Sequence, residues 1–314
     1  MTDLIATLRA LADPTRLRIA CLIRQMELAV GEVVAVLGQS QPRISRHVRI
    51  LAEAGLVERR KEGAWVFLRP GPTLGADPLG ALLDEHMARD GDFAADRSAL
   101  DAVRETRAGA ARDWFAGHAG EWDRLRALHI AEAEVEAAMA DLIGDAPVET
   151  LLDIGTGTGR MVELFGTRTD KAVAVDNSPE MLRLARAKLT SGQQADCAID
   201  LRIGDFNALP VENESADLAI MHQVLHYAPE PARVVAEAAR VLAPGGRLLI
   251  ADFAAHDREE LRTEFAHARL GFADDAMARW FAGAGLAPLG DRRLDGGELT
   301  VRLWLGQKKQ GNPK

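Results

Sequence analysis

The chain has 314 residues, of which 47% are hydrophobic and 27% charged, and a formal net charge of -9. This is the composition of a soluble globular protein with more than one domain. It has no apolar run near the roughly 20 residues that a membrane span needs, and its first residues lack an export leader, so we expect a cytoplasmic protein that contacts no membrane. Its two cysteines, Cys21 and Cys197, exclude a disulfide framework.

Charge is divided unevenly along the chain. Residues 1–70 carry 11 Lys and Arg against 7 Asp and Glu, which leaves a formal -13 for the remainder. Because nucleic acids are polyanions, only this amino-terminal segment has a charge balance that favours them.

The first 60 residues have the apolar periodicity of short helices. One helix is predicted over 4–11. The run Asp13-Pro-Thr15 then ends this helix and caps a second one that follows it. A third is predicted over 32–37, ending at Gly38, and a fourth starts with Pro42 in its first turn, where a missing amide hydrogen costs nothing. The order is that of a helix-turn-helix.

The fourth helix has one basic face and one apolar face. Arg43, Arg46 and Arg49 are spaced by three, and residues 56–68 predict two strands of a wing. An arginine stripe alone also suits a solvated helix face, but this order of elements favours the major groove, where arginine binds guanine edges and phosphates. The residues expected to contact DNA are Gln41, Arg43, Ser45, Arg46, His47, Arg49, Arg60 and Lys61.

Residues 1–70 resemble the ArsR/SmtB family of winged-helix repressors, through Ala12-Asp-Pro-Thr-Arg-Leu-Arg18 and the run 40–57. The resemblance implies a mainly-α winged helix-turn-helix that binds a double-stranded DNA operator as a homodimer. Many arsenic-responsive members carry a Cys-x-Cys pair on the third helix. Here Ala29 and Gly31 replace the thiols, so we do not expect metal or arsenite sensing there.

A helical connector is expected over 71–112. Proline and glycine cluster over 70–79, which predicts an exposed joint, and few breakers occur over 79–115, as in long amphipathic helices. Because repressors of this family pair through helices that flank the DNA-binding core, the resemblance gives the connector a possible role in dimerisation.

A strand followed by a glycine-rich turn dominates the next segment. Asp153 precedes Gly155, Gly157 and Gly159, which allow the backbone to approach a ligand closely. A dinucleotide fingerprint requires glycine where Arg160 stands. The pattern instead resembles the first motif of class I methyltransferases.

Four further segments follow in the order expected of that family. A second strand ends at Asp176, whose carboxylate suits both ribose hydroxyls of a nucleoside, and a third ends at Asp205-Phe206, where the family binds adenine. Each aspartate alone also suits a helix cap. The ordered set predicts a Rossmann-like α/β domain over 113–314 with a mostly parallel, seven-stranded sheet.

The resemblance implies that this domain binds S-adenosylmethionine and releases S-adenosylhomocysteine. Trp114, Phe115, His118 and Trp122 lie where related enzymes fold a helical cover, although aromatic residues there also suit plain packing. The residues expected to contact the donor are Asp153, Gly155, Gly157, Gly159, Asp176, Asn177, Asp205, Phe206, His222 and Gln223.

Methyl transfer from a sulfonium needs alignment of the acceptor and, when required, removal of its proton. His222 and His256 are the expected general bases. A metal held by Asp252, His256, Glu264 and His267 is less favoured than acceptor contacts, and we expect none. The residues expected on the acceptor side are His226, Tyr227, Asp252 and His267.

Two functions are compatible with these motifs. In the first, a DNA-binding regulator is fused to a methyltransferase that acts on a small-molecule acceptor, since the acidic charge disfavours nucleic acid as the methylated substrate. In the second, the chain is a non-catalytic or weakly catalytic regulator whose methyltransferase-like domain senses S-adenosylmethionine or S-adenosylhomocysteine. Both functions need an intact donor motif, so the sequence leaves them open.

Overall fold

The computed structural model describes residues 2–62, 65–75, 79–89, 93–118, 132–191, 197–295 and 298–310. The chain divides into two compact units, Met1–Ala108 and Gly109–Lys314. Trp122, expected in a helical cover, lies outside the described residues, as do the side chains of Trp114, Phe115 and His118.

The first unit begins with four helices and a small antiparallel sheet. These elements confirm the expected helix-turn-helix and wing. The sheet order is β1-β3-β2, and the two-residue strand β1 has no counterpart in the predicted elements. The elements are α1 (Thr2–Leu11), α2 (Pro14–Gln25), β1 (Leu28–Ala29), α3 (Val30–Leu37), α4 (Gln41–Glu53), β2 (Val57–Glu62) and β3 (Trp65–Pro70).

Local signals account for the helix ends. The Asp13 carboxylate caps α2 by accepting the Arg16 backbone N–H at 3.0 Å. Gly38 ends α3 with a φ of 62°, a left-handed conformation that glycine adopts without strain. On α4, Ile44 and Val48 are buried in the core of this unit, so the face that carries the arginines points away from it.

The expected connector belongs largely to the first unit, which extends to residue 108. It forms α5 (Pro72–Gly75), α6 (Leu79–Arg89) and α7 (Phe93–His118). The joint expected over 70–79 is not wholly exposed, because Leu74 is fully buried. The connector residues that share the core of α2 and α4 are Leu74, Leu83, Met87, Phe93 and Leu100.

An ion pair fixes α7 to α2. The Arg18 guanidinium donates to both carboxylate oxygens of Asp96, at 2.7 and 2.5 Å, and Asp96 is buried. Such a two-point contact sets the orientation of both side chains. Packing and charge therefore make the start of α7 part of the first unit.

The second unit contains a seven-stranded sheet in the order β6-β5-β4-β7-β8-β10-β9. Strand β10 runs antiparallel to both β8 and β9, whereas the other pairs are parallel. The expected mostly parallel sheet is confirmed. The strands are β4 (Val148–Ile154), β5 (Thr169–Asp176), β6 (Ala198–Ile203), β7 (Ala216–His222), β8 (Leu242–Phe253), β9 (Leu286–Leu294) and β10 (Val301–Lys308).

Helices cover both faces of this sheet. Neighbouring residues of a strand point to opposite faces, so Leu151 joins one hydrophobic cluster, with Met139 and Met161, and Leu152 joins the other, with Val234. None of the described helices is long and apolar enough to cross a membrane. The helices are α8 (Glu132–Ile143), α9 (Arg160–Phe165), α10 (Pro179–Ser191), α11 (Pro231–Val241), α12 (Glu260–Glu264) and α13 (Asp274–Gly283).

The strand order reverses beside β4, which has β5 on one side and β7 on the other. The helices that follow β4 and β7 therefore lie on opposite faces of the sheet, an arrangement that in open α/β sheets forms a crevice between their amino-terminal loops. In open α/β sheets, ligands bind in this crevice, at the carboxyl ends of the strands. The glycine-rich turn follows β4 at this point.

Candidate functional site

The turn after β4 has a backbone that requires glycine. Gly155, Gly157 and Gly159 have φ values of 70°, 54° and 84°, a region that L side chains rarely occupy. A Cβ atom at Gly155 would also collide with the side chain of Val224, which follows β7. The close approach of two strand-end loops at the crevice therefore depends on Gly155.

Two carboxylates hold this turn. Asp153 is buried, and it accepts the Thr156 hydroxyl at 2.5 Å. One oxygen of Asp176 accepts the Gly157 backbone N–H at 2.8 Å, and the other accepts that of Ser178 at 2.9 Å. Burial raises the pKa of Asp176, although these backbone donors and that of Asn177 oppose the rise.

Asp205 and Phe206 lie next to Asp176. The Gly204 backbone N–H donates to the Asp176 carbonyl at 2.9 Å, which brings the loop after β6 to the same edge of the sheet. Asp205 is exposed and accepts the Asn207 backbone N–H at 2.7 Å, while Phe206 is half-buried. Both therefore follow β6 at the carboxyl end of the sheet.

Gln223 is strained and poorly satisfied. Its φ is 52°, a left-handed value that is uncommon for residues other than glycine, and its backbone N–H donates to the Ala251 carbonyl at 2.7 Å. Its side-chain Nε2 is buried without a hydrogen-bond partner among the described residues. An unsatisfied buried amide is costly, so this side chain is suited to a ligand. His222, the last residue of β7, is buried beside it.

His226 and Asp252 form a buried pair. The His226 ring Nδ1 is 2.7 Å from Oδ1 of Asp252, and the His226 backbone N–H donates to Oδ2 at 3.1 Å. The two residues are 2% and 0% exposed. Because an ionised carboxylate only accepts hydrogen bonds, Nδ1 carries the proton, and Nε2 of the neutral ring has the available lone pair.

Aromatic rings surround this pair. The centroids of Tyr227 and His267 are each 4.1 Å from that of His226, and His267 stacks on Phe253 at 5.8 Å. Burial and the charge of Asp252 raise the pKa of Tyr227 well above its usual value. The four residues expected on the acceptor side therefore lie together.

His256 lies at the edge of this group, with its ring 6.2 Å from that of Phe253. Its Nδ1 accepts the Arg258 backbone N–H at 3.2 Å, which leaves the proton of the neutral ring on Nε2. Arg269 is a further member that the sequence did not indicate. It is fully buried and donates to the Pro229 carbonyl at 2.7 Å, and no motif marks it.

Within the described part of the chain, no group of three or more His, Cys, Asp or Glu side chains is arranged to hold a metal ion. Asp252, His256, Glu264 and His267 were the residues considered for such a site. Asp252 is instead occupied by His226 and by the Phe253 backbone N–H, at 2.8 Å.

The expected DNA-binding residues divide by exposure. Gln41, Arg43, Ser45, Arg46 and Arg49 are exposed on α4. The His47 side chain is only 12% exposed, and its Nδ1 lies 3.7 Å from Oδ1 of Asp13. Burial lowers the pKa of His47. This residue therefore faces the start of α2.

The wing strand β2 separates its basic residues by face. Arg60 is half-buried, and its Nε lies 3.6 Å from Oε1 of Glu27. Arg59 and Lys61, on the opposite face, are exposed. The sequence prediction paired Arg60 with Lys61. Because side chains alternate along a strand, Arg59 and Lys61 share a face, and this alternation is the signal that the prediction missed.

Residues 13–59 match the model of the bacterial regulatory protein, arsR family, and residues 152–250 match that of a methyltransferase domain. The chain carries an ArsR-family domain fused to a methyltransferase domain. Its second unit has the class I methyltransferase fold, in agreement with the sheet order and the glycine-rich turn.

Relatives match each domain separately. The arsenical resistance operon repressor of Escherichia coli is 45% identical over 73 residues, which are 23% of this chain and 62% of the repressor. The arsenite methyltransferase of Halobacterium salinarum is 36% identical over 110 residues, which are 34% of this chain and 28% of that enzyme. The chain spans 28% to 49% of the length of three curated relatives that it matches.

A solved complex between the Haloferax volcanii Trm112 methyltransferase activator and a methyltransferase contains a chain of similar fold. The TM-score is 0.54 at 21% identity, over 65% of this chain and 100% of that chain. At this identity the likeness concerns the fold.

We expect Gly155→Ala to lower the free energy of unfolding of the second unit by about 1–3 kcal/mol, because alanine is strained at this φ and would displace Val224. Urea unfolding followed by circular dichroism measures the effect. Gly283→Ala is the control. It lies at the end of α13 with open space around its Cβ position, and it should leave stability unchanged or raise it by up to about 1 kcal/mol. Equal stability of the two variants would contradict the requirement for glycine at 155.

Proposed function

We propose that this protein is a DNA-binding transcriptional regulator whose second domain transfers a methyl group from S-adenosylmethionine to a small-molecule acceptor. The observation that carries the proposal is the position of Asp176, which ends β5 and binds the glycine-rich turn at the point where strand order reverses. A carboxylate there accepts hydrogen bonds from ribose hydroxyls. Gly155 and Gly159 let the turn pack closely against the Val224 and Leu189 side chains.

The remaining donor contacts follow from the residues around Asp176. Asp153 and the three glycines shape the turn, and Asn177 continues from Asp176. Asp205 and Phe206, held beside Asp176 through Gly204, are proposed to bind the adenine amino group and ring. His222 and Gln223 are proposed to bind the methionine part, since the Gln223 Nε2 is a buried donor without a hydrogen-bond partner among the described residues.

We expect Asp176→Ala to weaken S-adenosylmethionine binding at least about 100-fold, because two hydroxyl contacts to a charged group are lost. Isothermal titration calorimetry measures the affinity, and circular dichroism establishes that the variant is folded. Asp170→Ala is the control, because Asp170 is exposed at the other end of β5. Unchanged affinity in Asp176→Ala would contradict the assignment.

The same carboxylate gives donor binding a pH dependence. The raised pKa of Asp176 means that protonation begins at a higher pH than for an ordinary aspartate, and the protonated acid loses acceptor capacity. Donor affinity should therefore fall as pH is lowered. This acid limb should be absent from the residual binding of Asp176→Ala.

The acceptor of the Halobacterium salinarum relative, arsenite, fits this chain poorly. Arsenic(III) is soft and prefers thiolate ligands, and the chain has only Cys21 and Cys197. Burial raises the pKa of Cys21 to about 12, and Cys197 contacts Thr169, at the start of β5. Neither thiol lies at the carboxyl end of the sheet, so we propose an acceptor other than arsenite.

A sensor without catalysis is the second function, and the fusion to an ArsR-family domain favours it. Such a sensor has one conformation that binds DNA and one that does not, and its ligand must bind one of them better than the other. Operator binding, measured at fixed salt with and without S-adenosylmethionine and S-adenosylhomocysteine, tests this function. Different affinities with the two ligands support a regulator that reads methylation state, and equal affinities support an enzyme attached to DNA.

The exposed arginines of α4 support the DNA-binding part of the proposal. We expect Arg43→Ala/Arg46→Ala to weaken operator binding at least about tenfold, because each removes a contact to phosphate or guanine. Fluorescence anisotropy across a salt series measures the effect, and a shallower salt dependence identifies phosphate contacts. Arg233→Ala, which removes an exposed arginine of α11, should bind normally. Equal binding by all three proteins would refute this interface.

An apolar stripe on α1 supports a homodimer. Leu4, Ile5 and Leu8 are 63%, 51% and 55% exposed, and adjacent apolar side chains on one helix face are costly in water. We propose that they pair with the same stripe on a second copy of the chain.

We expect Leu8→Lys to convert the dimer into a monomer, because it places a charge in the apolar contact. Light scattering after size-exclusion chromatography measures the mass. Leu289→Lys, which changes an exposed leucine of β9, should remain dimeric. A wild-type monomer, or a dimer unaffected by Leu8→Lys, would refute the proposed pairing.

A further inference from the structure

We propose that His226, oriented by Asp252, is the general base that removes the proton from a phenolic hydroxyl of the acceptor. This inference rests on the proposed function, because it assigns a role within the same methyl transfer. The observation that carries it is the buried hydrogen bond of 2.7 Å between the imidazole and the carboxylate. A histidine held in this way presents Nε2 as the basic atom.

The pair lies beside the proposed donor site. Val224, two residues before His226, is the side chain against which Gly155 packs. On the neighbouring strand, Ala251 pairs with His222 and accepts the Gln223 backbone N–H, and Asp252 follows it. His226 thus lies in the loop after β7, which packs against the glycine-rich turn, and Asp252 lies near the end of the adjacent strand β8.

The backbone around His226 is fixed independently of the pair. His226 lies in a 3-10 turn, Leu225–Tyr227, and its carbonyl accepts the Arg269 backbone N–H at 2.9 Å. The Arg269 guanidinium also donates to the Pro229 carbonyl, at 2.7 Å. A base must be held in place to act on a substrate proton, and these contacts hold it.

Other titratable groups nearby are less suited to the task. His256 accepts a backbone N–H at Nδ1, so its Nε2 carries a proton in the neutral ring. Tyr227 has a raised pKa and stays protonated near neutral pH, where it can only donate a proton or accept a hydrogen bond. Among these three, His226 alone has both a carboxylate on Nδ1 and a lone pair on Nε2.

The chemical step balances without a further reactant. Nε2 of His226 takes the hydroxyl proton as the acceptor oxygen attacks the methyl carbon of the sulfonium. The carbon–sulfur bond breaks, its electron pair remains on sulfur, and neutral S-adenosylhomocysteine leaves. The imidazolium that forms is stabilised by the charge of Asp252, and it returns its proton to water after product release.

The class of acceptor follows from the need for a base and from the surroundings. A thiolate, a carboxylate or a metalloid is already nucleophilic near neutral pH, whereas the hydroxyl of a phenol is a weak nucleophile until its proton is removed. The rings of Tyr227, Phe253 and His267 around His226 suit a flat, apolar acceptor. Burial of the pair also excludes water, which would otherwise compete for Nε2.

The experiment compares two phenols that differ in acidity. Transfer of labelled methyl from S-adenosylmethionine is measured with 2-naphthol, which is protonated near neutral pH, and with 4-nitrophenol, which is largely ionised. The proteins are wild type, His226→Gln and Asp252→Asn, and donor affinity is measured for each. Glutamine keeps a polar side chain of similar length without a basic nitrogen.

We expect His226→Gln to lower kcat/KM for 2-naphthol by about 10²–10⁴-fold, the usual contribution of a general base, and for 4-nitrophenol by less than tenfold. Donor affinity should be unchanged. The kcat/KM of Asp252→Asn for 2-naphthol should lie between those of wild type and His226→Gln.

Other outcomes overturn the inference in distinguishable ways. An equal loss on both phenols, or a loss of donor binding, identifies the pair as structural. Transfer to a thiol or to arsenite but to neither phenol overturns the acceptor class. Donor binding without transfer to any of these probes overturns the pair as a base and supports the sensor, whereas absence of donor binding in wild type overturns the proposed function itself.

Discussion

The carboxylate of Asp176 is the contact on which the second unit's ligand site depends. It accepts backbone N–H groups from the glycine-rich turn and from the start of α10, so one side chain joins the first two βα loops of the sheet. The backbone N–H groups of Gly155 and Thr156 also donate to the Val175 carbonyl, at 2.8 and 3.0 Å, so Asp176 adds a side-chain contact to the backbone contacts that tie this turn to β5. The carboxylate that is proposed to bind the donor also assembles the loop that the donor enters.

The site is built from groups that are costly to the fold. Gln223 has a left-handed backbone and an unsatisfied amide, and Asp153 and Asp252 are buried acids. Each is tolerated because neighbouring strands hold the backbone around it. Residues of this kind concentrate at the carboxyl ends of β4, β5, β7 and β8, which is consistent with a ligand that repays the cost when it binds.

Periodicity and glycine spacing predicted most of the fold. Helical spacing identified α1 to α4, and the ordered strand-end motifs predicted a seven-stranded, mostly parallel sheet, because these patterns depend on local backbone geometry. The short strand β1 and the packing of α5 to α7 were not predicted. Both depend on partners distant in the chain, such as Phe67 for Ala29 and Asp96 for Arg18.

The sequence predicted where the site residues lie but not which residues they contact. The sequence placed four histidines near the acceptor, yet it could not show that Asp252 pairs with His226, since 26 residues separate them. The same limit applies to His47 and Arg60, whose partners Asp13 and Glu27 lie elsewhere in the first unit. The donor and DNA contacts themselves stay predictions.

The extent of the first unit bears on how such fusions arise. The match to the repressor family ends at residue 59, but the hydrophobic core continues through Leu74, Leu83 and Phe93 to Leu100. A gene segment cut at the end of the recognisable motif would encode a domain with part of its core missing. Recombination that joins this module to another domain must therefore carry the trailing helices with it, and the unit, residues 1–108, is more than twice as long as the matched segment, residues 13–59.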